Sequence, residues 1–161
     1  MKDIKVRQFI KQDQEAVCQL HIEGLRQAES LIDDPEARKQ LDQDLININK
    51  SYIDNGGDFI IVTLEEKIIG MGALRKINDT AAEVKRMRVK PEFQGKHIGS
   101  LILDKLIERA KKFGYKKIIL DTSVKQIPAQ NLYQSRNFKE YKRGAIFGQD
   151  RIFYELDINI L

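Results

Sequence analysis

Val89-Lys90-Pro91-Glu92-Phe93-Gln94-Gly95-Lys96-His97-Ile98-Gly99-Ser100 is the stretch whose reading decides the fold. Before it, Ala82 to Val89 reads as a strand, and Pro91, which has no N–H to give to a ladder, ends that strand. After it, Ile98, Ile102, Leu106 and Ala110 recur every four residues, the spacing of one helix face. The loop between them carries Gly95 and Gly99, so several backbone N–H groups can converge beside a helix end worth about half a positive charge. Such a loop either holds a phosphate group or is a plain helix start. It contains neither GxxxxGK followed by Ser or Thr nor GxGxxG, so it is not a nucleotide P-loop or a Rossmann turn.

Working outward, Phe113-Gly114 closes the helix and Ile118-Ile119-Leu120 is a short buried strand. Strand, loop, helix and strand in that order require a crossover, which sets the two strands parallel or nearly so and places an edge or opening of the sheet nearby. Pro128 begins a helix with Leu132 and Tyr133, and Phe138 to Phe147 with Ile152 to Leu156 reads as a hairpin turned by Gly148-Gln149-Asp150. Upstream, Phe59 to Leu64 and Ile68 to Leu74 flank the polar turn Glu65-Glu66-Lys67, and Asn78-Asp79-Thr80 turns into the Ala82 strand. Lys5 to Phe9 is extended, and Asp13 offers an N-cap to a helix carrying Ala16, Val17, Leu20, Leu25 and Ala28. Asp34-Pro35 starts a second helix through Leu41, Leu45, Ile48 and Tyr52, and Gly56-Gly57 stops it. The fold class is α+β, and with no repeat or linker in sight residues 1–161 are expected to form a single domain.

Composition narrows the function classes. Hydrophobic residues at 42% and charged residues at 32% are those of a globular protein, and no apolar run approaches the roughly 20 residues of a membrane helix, so no membrane partner is expected. The start, Met1-Lys2-Asp3-Ile4-Lys5, alternates polar and apolar residues, so no secretory signal is expected. Cys18 is the single cysteine, read as a small buried hydrophobe of the first helix; it has no partner for a disulfide or for zinc, so no metal site and a cytoplasmic setting are expected. A net charge of +4 invites a nucleic-acid reading. Lys111, Lys112, Lys116 and Lys117, however, are interleaved with apolar residues as on a solvated face, and Tyr115 and Tyr141 are too isolated to stack bases, so no nucleic-acid partner is expected.

The strand end Val89-Lys90-Pro91 and the run Gln94-Gly95-Lys96-His97-Ile98-Gly99 resemble the GNAT acetyltransferases, whose pyrophosphate loop reads Q/R-x-x-G-x-G/A after Val-x-Pro. His97 stands where that pattern most often has glycine, so one residue must reach its backbone conformation with a side chain attached. The resemblance implies a GNAT-type mixed, mostly antiparallel twisted sheet of about six to seven strands, flanked by about four helices, with a splayed strand pair at the cofactor site. It also implies acetyl-CoA as the acyl-donor cosubstrate. Gln94, Gly95, Lys96, His97, Ile98, Gly99 and Ser100 would hold the pyrophosphate, and Met87, Arg88 and Val89 would meet the pantetheine arm along the splayed strand. His97 is a loop residue beside the phosphates or, alternatively, a base.

Ala129-Gln130-Asn131-Leu132-Tyr133-Gln134-Ser135-Arg136-Asn137-Phe138 resembles the same family's A-x-x-L-Y-x-x-x-G-F, with Asn137 in the glycine place. The resemblance makes Tyr133 the general acid for the departing thiolate, the alternative being a buried helix aromatic, and adds Asn131 to the cofactor contacts. It makes Glu83 the general base, directly or through water, since an ammonium cannot attack a thioester; the alternative is a cross-strand partner of Lys or Arg. The backbone N–H of Met87 would stabilise the tetrahedral intermediate. The implied function is N-acetyl transfer to a primary amine of a small molecule or peptide, by direct attack in a ternary complex. The rival is an idle acyl-CoA-binding sensor or assembly module, and a homodimer is possible by family habit.

Overall fold

A computed structural model describes residues 3–160; Met1, Lys2 and Leu161, which belong to the start and end quoted above, lie outside the described residues. The strands are β1 (Ile4–Gln8), β2 (Asp58–Leu64), β3 (Lys67–Lys76), β4 (Ala81–Val89), β5 (Lys117–Ser123), β6 (Lys139–Ile146) and β7 (Gln149–Asp157). The helices are α1 (Gln14–Gln27), α2 (Pro35–Leu41), α3 (Ile48–Ser51), α4 (Ile98–Lys112) and α5 (Ile127–Ser135). The strands form one sheet in the order β1-β2-β3-β4-β5-β7-β6, antiparallel throughout except for β4 and β5. This is the mixed, mostly antiparallel α+β sheet that the sequence implies.

β2 lies inside the sheet and is buried on both faces, which explains its continuous apolar run in place of an alternating one. Phe59 and Ile61 point into a core shared with Val17, Leu20, Leu45, Ile48 and Tyr52. Ile60 and Val62 point to the opposite face, into a core built with Ile98, Ile102, Leu103 and Leu106 of α4. Close approach of α4 is set at Gly72, where a Cβ would stand 2.4 Å from the Ile102 side chain.

The parallel crossover is short. β4 pairs with β5 only at Ala81↔Lys117, Ala82↔Ile118 and Glu83↔Ile119. Among the described residues, β4 beyond Glu83 pairs with β3 alone, while β5 from Leu120 onward pairs with β7 alone. The two strands therefore splay into a V. β4 also bulges there: its register with β3 shifts between Met71 and Ala73, and Arg86 takes a left-handed φ of 57°.

Four expectations are corrected. The helix expected from Asp34 to Tyr52 is broken into α2, a 3₁₀ turn at Gln43–Leu45, and α3. Asp34 does cap α2, accepting from the Glu36 N–H at 3.0 Å. The break arises because Asp42 and Asp44 both bind Arg86, and residues two apart on an α-helix do not face the same way. Asp13 does not cap α1 with its side chain; its buried carboxylate takes two hydrogen bonds from Arg7, at 2.7 and 2.9 Å, and one from the Ile10 N–H. The last hairpin turns at Phe147-Gly148, both at positive φ (47° and 75°), one residue earlier than read, as a two-residue turn that follows the strand twist. Cys18 is half-buried and not part of the core.

Candidate active site

The V between β4 and β5 opens onto a cavity of about 690 Å³. One end is built by the loop before α4. Gln94 fastens that loop: its side chain donates to the Val89 carbonyl at 3.0 Å and exchanges hydrogen bonds with Gln27 of α1 at 2.9 and 3.0 Å. Gly95 and His97 both take left-handed backbone, φ 71° and 64°, so His97 does reach this conformation with its side chain attached. His97 gives α4 no side-chain cap. The first-turn N–H groups of α4, which have no partner inside a helix, are thus turned toward the cavity end lined by Ile98, Gly99 and Ser100.

Tyr133 reaches the same cavity from α5. It is buried against Phe138 and Tyr154, with ring centroids 6.1 and 5.9 Å away, and its left-handed neighbour Asn137, φ 67°, turns the chain after the helix. Burial pushes its phenol up to about 12 against the opposing pull of the Arg88 charge, so at neutral pH it carries its proton.

The cavity brings together Met87, Arg88, Val89, Gln94, Gly95, His97, Ile98, Gly99, Ser100 and Tyr133. Three expected residues do not line it. Lys96 places its ammonium 5.3 Å over the Phe93 ring, and Asn131 is exposed on α5. Glu83 is the last β4 residue paired with β5, at the base of the V, and its carboxylate accepts from Arg75 at 2.7 Å, its cross-strand neighbour on β3.

Sequence reasoning missed the wall opposite the loop. Arg86, aimed by the bulge, donates to Asp44 at 2.5 and 2.9 Å, to Asp42 at 3.2 Å and to the Leu41 carbonyl at 2.7 Å. Tyr52 also donates to Asp44, and His21 of α1 lies 3.0 Å from Asp42. Burial raises both Asp carboxyls, but the hydrogen bonds and charges of His21 and Arg86 at Asp42, and those of Arg86 with the Tyr52 hydrogen bond at Asp44, outweigh it and leave them below the usual carboxylate range. Burial pushes His21 down, aided by the charges of Arg88 and Arg86, against the Asp42 hydrogen bond. No contiguous motif announces these residues, which come from α1, the α2 end, the 3₁₀ turn after it, the end of α3 and β4. Among the described residues no cluster of His, Cys, Asp or Glu is arranged to hold a metal ion, and no helix is long and apolar enough to cross a membrane.

The split at one parallel pair, the helix start without a side-chain cap and the buried Tyr133 phenol thus meet at one cavity. The profile of the acetyltransferase (GNAT) family matches residues 19–138, and the chain belongs to that family. N-acetyltransferase 8 of Homo sapiens is 32% identical over 103 residues, which cover 60% of this chain and 45% of that protein. N-acetylaspartate synthetase of Xenopus tropicalis is 34% identical over 98 residues, 60% of this chain and 36% of that protein. The chain thus spans less than half the length of these curated relatives. Among solved structures, an acetyltransferase of the GNAT family from Staphylococcus aureus Mu50 has the same fold, with a TM-score of 0.85, 24% identity, and coverage of 97% of this chain and 99% of that one. The PaiA N-acetyltransferase of Thermoplasma acidophilum, solved in complex with coenzyme A, superimposes with a TM-score of 0.78 at 20% identity, covering 96% and 99%.

Proposed function

We propose that this protein transfers the acetyl group of acetyl-CoA to an amine. The observation that carries the reading is the V between β4 and β5, which opens between the uncapped start of α4 and the buried hydroxyl of Tyr133. Support also comes from family membership and from two structures of the same fold, PaiA with coenzyme A and YncA of Salmonella typhimurium with acetyl-CoA.

In this reading the pyrophosphate rests on the N–H groups of the loop from Gln94 to Ser100, and the pantetheine arm runs along the unpaired edge of β4 at Met87 to Val89. The amine nitrogen attacks the thioester carbon. Its C–N bond forms, the negative oxygen is held by the Met87 N–H, and the C–S bond breaks as Tyr133 gives its proton to the thiolate. Glu83, at the base of the V on the same strand face as Lys85, takes the ammonium proton through water, and its bond to Arg75 orients the carboxylate. With Cys18 outside the cavity lining, transfer is direct, in a ternary complex.

The test is calorimetric titration with acetyl-CoA, followed by thiol release with a panel of amines, for the wild type, Tyr133→Phe and Glu83→Gln. Binding together with acceptor-dependent release that falls at least tenfold in either variant is the expected outcome. Binding without release from any acceptor indicates a sensor, and absence of binding overturns the reading.

A further inference from the structure

The wall of the cavity facing α1 and α2 is basic beyond what its own carboxylates offset. Arg86 is met by Asp42 and Asp44, and Arg151 of β7 by Asp121 at 2.7 Å. Arg38 of α2 and Lys85 and Arg88 of β4 also line the cavity, yet among the described residues none has a carboxylate within ion-pair distance. The Nε atoms of Arg38 and Arg88 are buried without any hydrogen-bond partner. For Arg88, one terminal nitrogen donates to the Met87 carbonyl at 2.9 Å.

A buried guanidinium nitrogen left without an acceptor is unfavourable, and a charged acceptor reaching it relieves that cost. Burial and the nearby Arg86 push Arg88 down only to about 10, so it is cationic at neutral pH. The side chain is also given a track: it lies across Gly24 of α1, where a Cβ would stand 2.4 Å from its Cδ. Cofactor phosphates are accounted for elsewhere, by the loop before α4, and Arg88 points from β4 to the opposite, α1 face.

Resting on the transferase reading above, we infer that the acceptor amine also carries a carboxylate, which Arg88 binds, with Arg38 and Lys85 as the neighbouring cations. The acceptor class is the amino acids and small molecules built like them. Carboxylates suit this wall because a guanidinium offers a planar fork that matches them. A site with buried donors discriminates strongly, since a ligand without the group leaves those donors unpaired.

The experiment follows thiol release from acetyl-CoA with the common amino acids, their carboxamides and the amines left by their decarboxylation. The acids should exceed their amides by at least about 100-fold in kcat/KM. Arg88→Gln should reduce that ratio to below about tenfold. Gly24→Ala keeps the charge but crowds Arg88, and should lower the same ratio without removing the guanidinium, which preserves the test if Arg88→Gln folds poorly. Amides or decarboxylated amines turned over as well as the acids overturn the inference and leave the transferase reading intact, as does an Arg88→Gln variant that loses acetyl-CoA affinity with an unchanged ratio. Bound acetyl-CoA with no release from any acid also overturns it. Failure of acetyl-CoA to bind the wild type overturns the transferase reading itself.

Discussion

At the scale of single residues, Tyr133 illustrates how burial prepares a side chain for one task. A phenol pushed up to about 12 keeps its proton across the physiological range, so it is held in the donor form that the proposed transfer to a departing thiolate requires. Tyr133→Phe should therefore lower kcat by roughly 10²- to 10⁴-fold while acetyl-CoA affinity, read by calorimetry, stays unchanged. His97 tests the loop in a different way. It holds a left-handed backbone with φ 64°, so His97→Gly should preserve acetyl-CoA affinity, whereas the β-branched His97→Val should cost about 1 kcal/mol in urea unfolding. The loop and Tyr133 could be read from sequence because each lies in a contiguous stretch with fixed internal spacing. Arg38, Asp42, His21 and Arg151 could not, because only the fold brings them to one cavity. Glu83 stands between the two cases: its type and place were legible, but its Arg75 partner follows from the β3–β4 register.

At the scale of elements, the Arg86 cluster fastens the α2 end to the β4 bulge, so it shapes the cavity wall as well as holding it. Arg86→Met would leave Asp42 and Asp44 buried without their cation, and should destabilise the protein by about 3 to 5 kcal/mol in urea titration. The same cluster sets the acid response. Above the ordinary histidine value of 6.5, His21 is neutral whether folded or unfolded and contributes nothing. Below 6.5 the unfolded chain takes up a proton that the folded chain resists, so stability falls with pH. Asp42 and Asp44 act lower down: their stabilisation is complete above the ordinary value of 3.8 and is lost as pH falls through their depressed folded values. Melting temperatures measured from pH 7.5 to pH 5 should decline in the wild type and stay flatter in His21→Gln. Strands β2 to β5 and helix α4 were legible because their apolar periods agree with their packing. The second helix was not, because charge pairing with a distant arginine overrode a helical spacing that Leu45, Ile48 and Tyr52 still satisfy from a bent path.

At the scale of the whole molecule, a ligand that binds only the folded state stabilises it by mass action. Acetyl-CoA at one hundred times its Kd contributes about 2.7 kcal/mol, which for a chain of this size corresponds to a rise in Tm on the order of 5 to 10 °C by scanning calorimetry. The sheet gives that rise a location. Its seven strands form two leaves, β1-β2-β3-β4 and β5-β7-β6, and among the described residues the ladder joining the leaves is the three residue pairs from Ala81↔Lys117 to Glu83↔Ile119. So short a spine is where the two leaves would hinge. A cosubstrate lying along the open edge of β4 would brace that hinge like a cross-tie, and amide exchange should then slow along Val84 to Val89 well before it slows in β1 or β6. In the proposed reaction the fork would be stiffest while the cosubstrate lies in it and looser before it arrives and after it leaves.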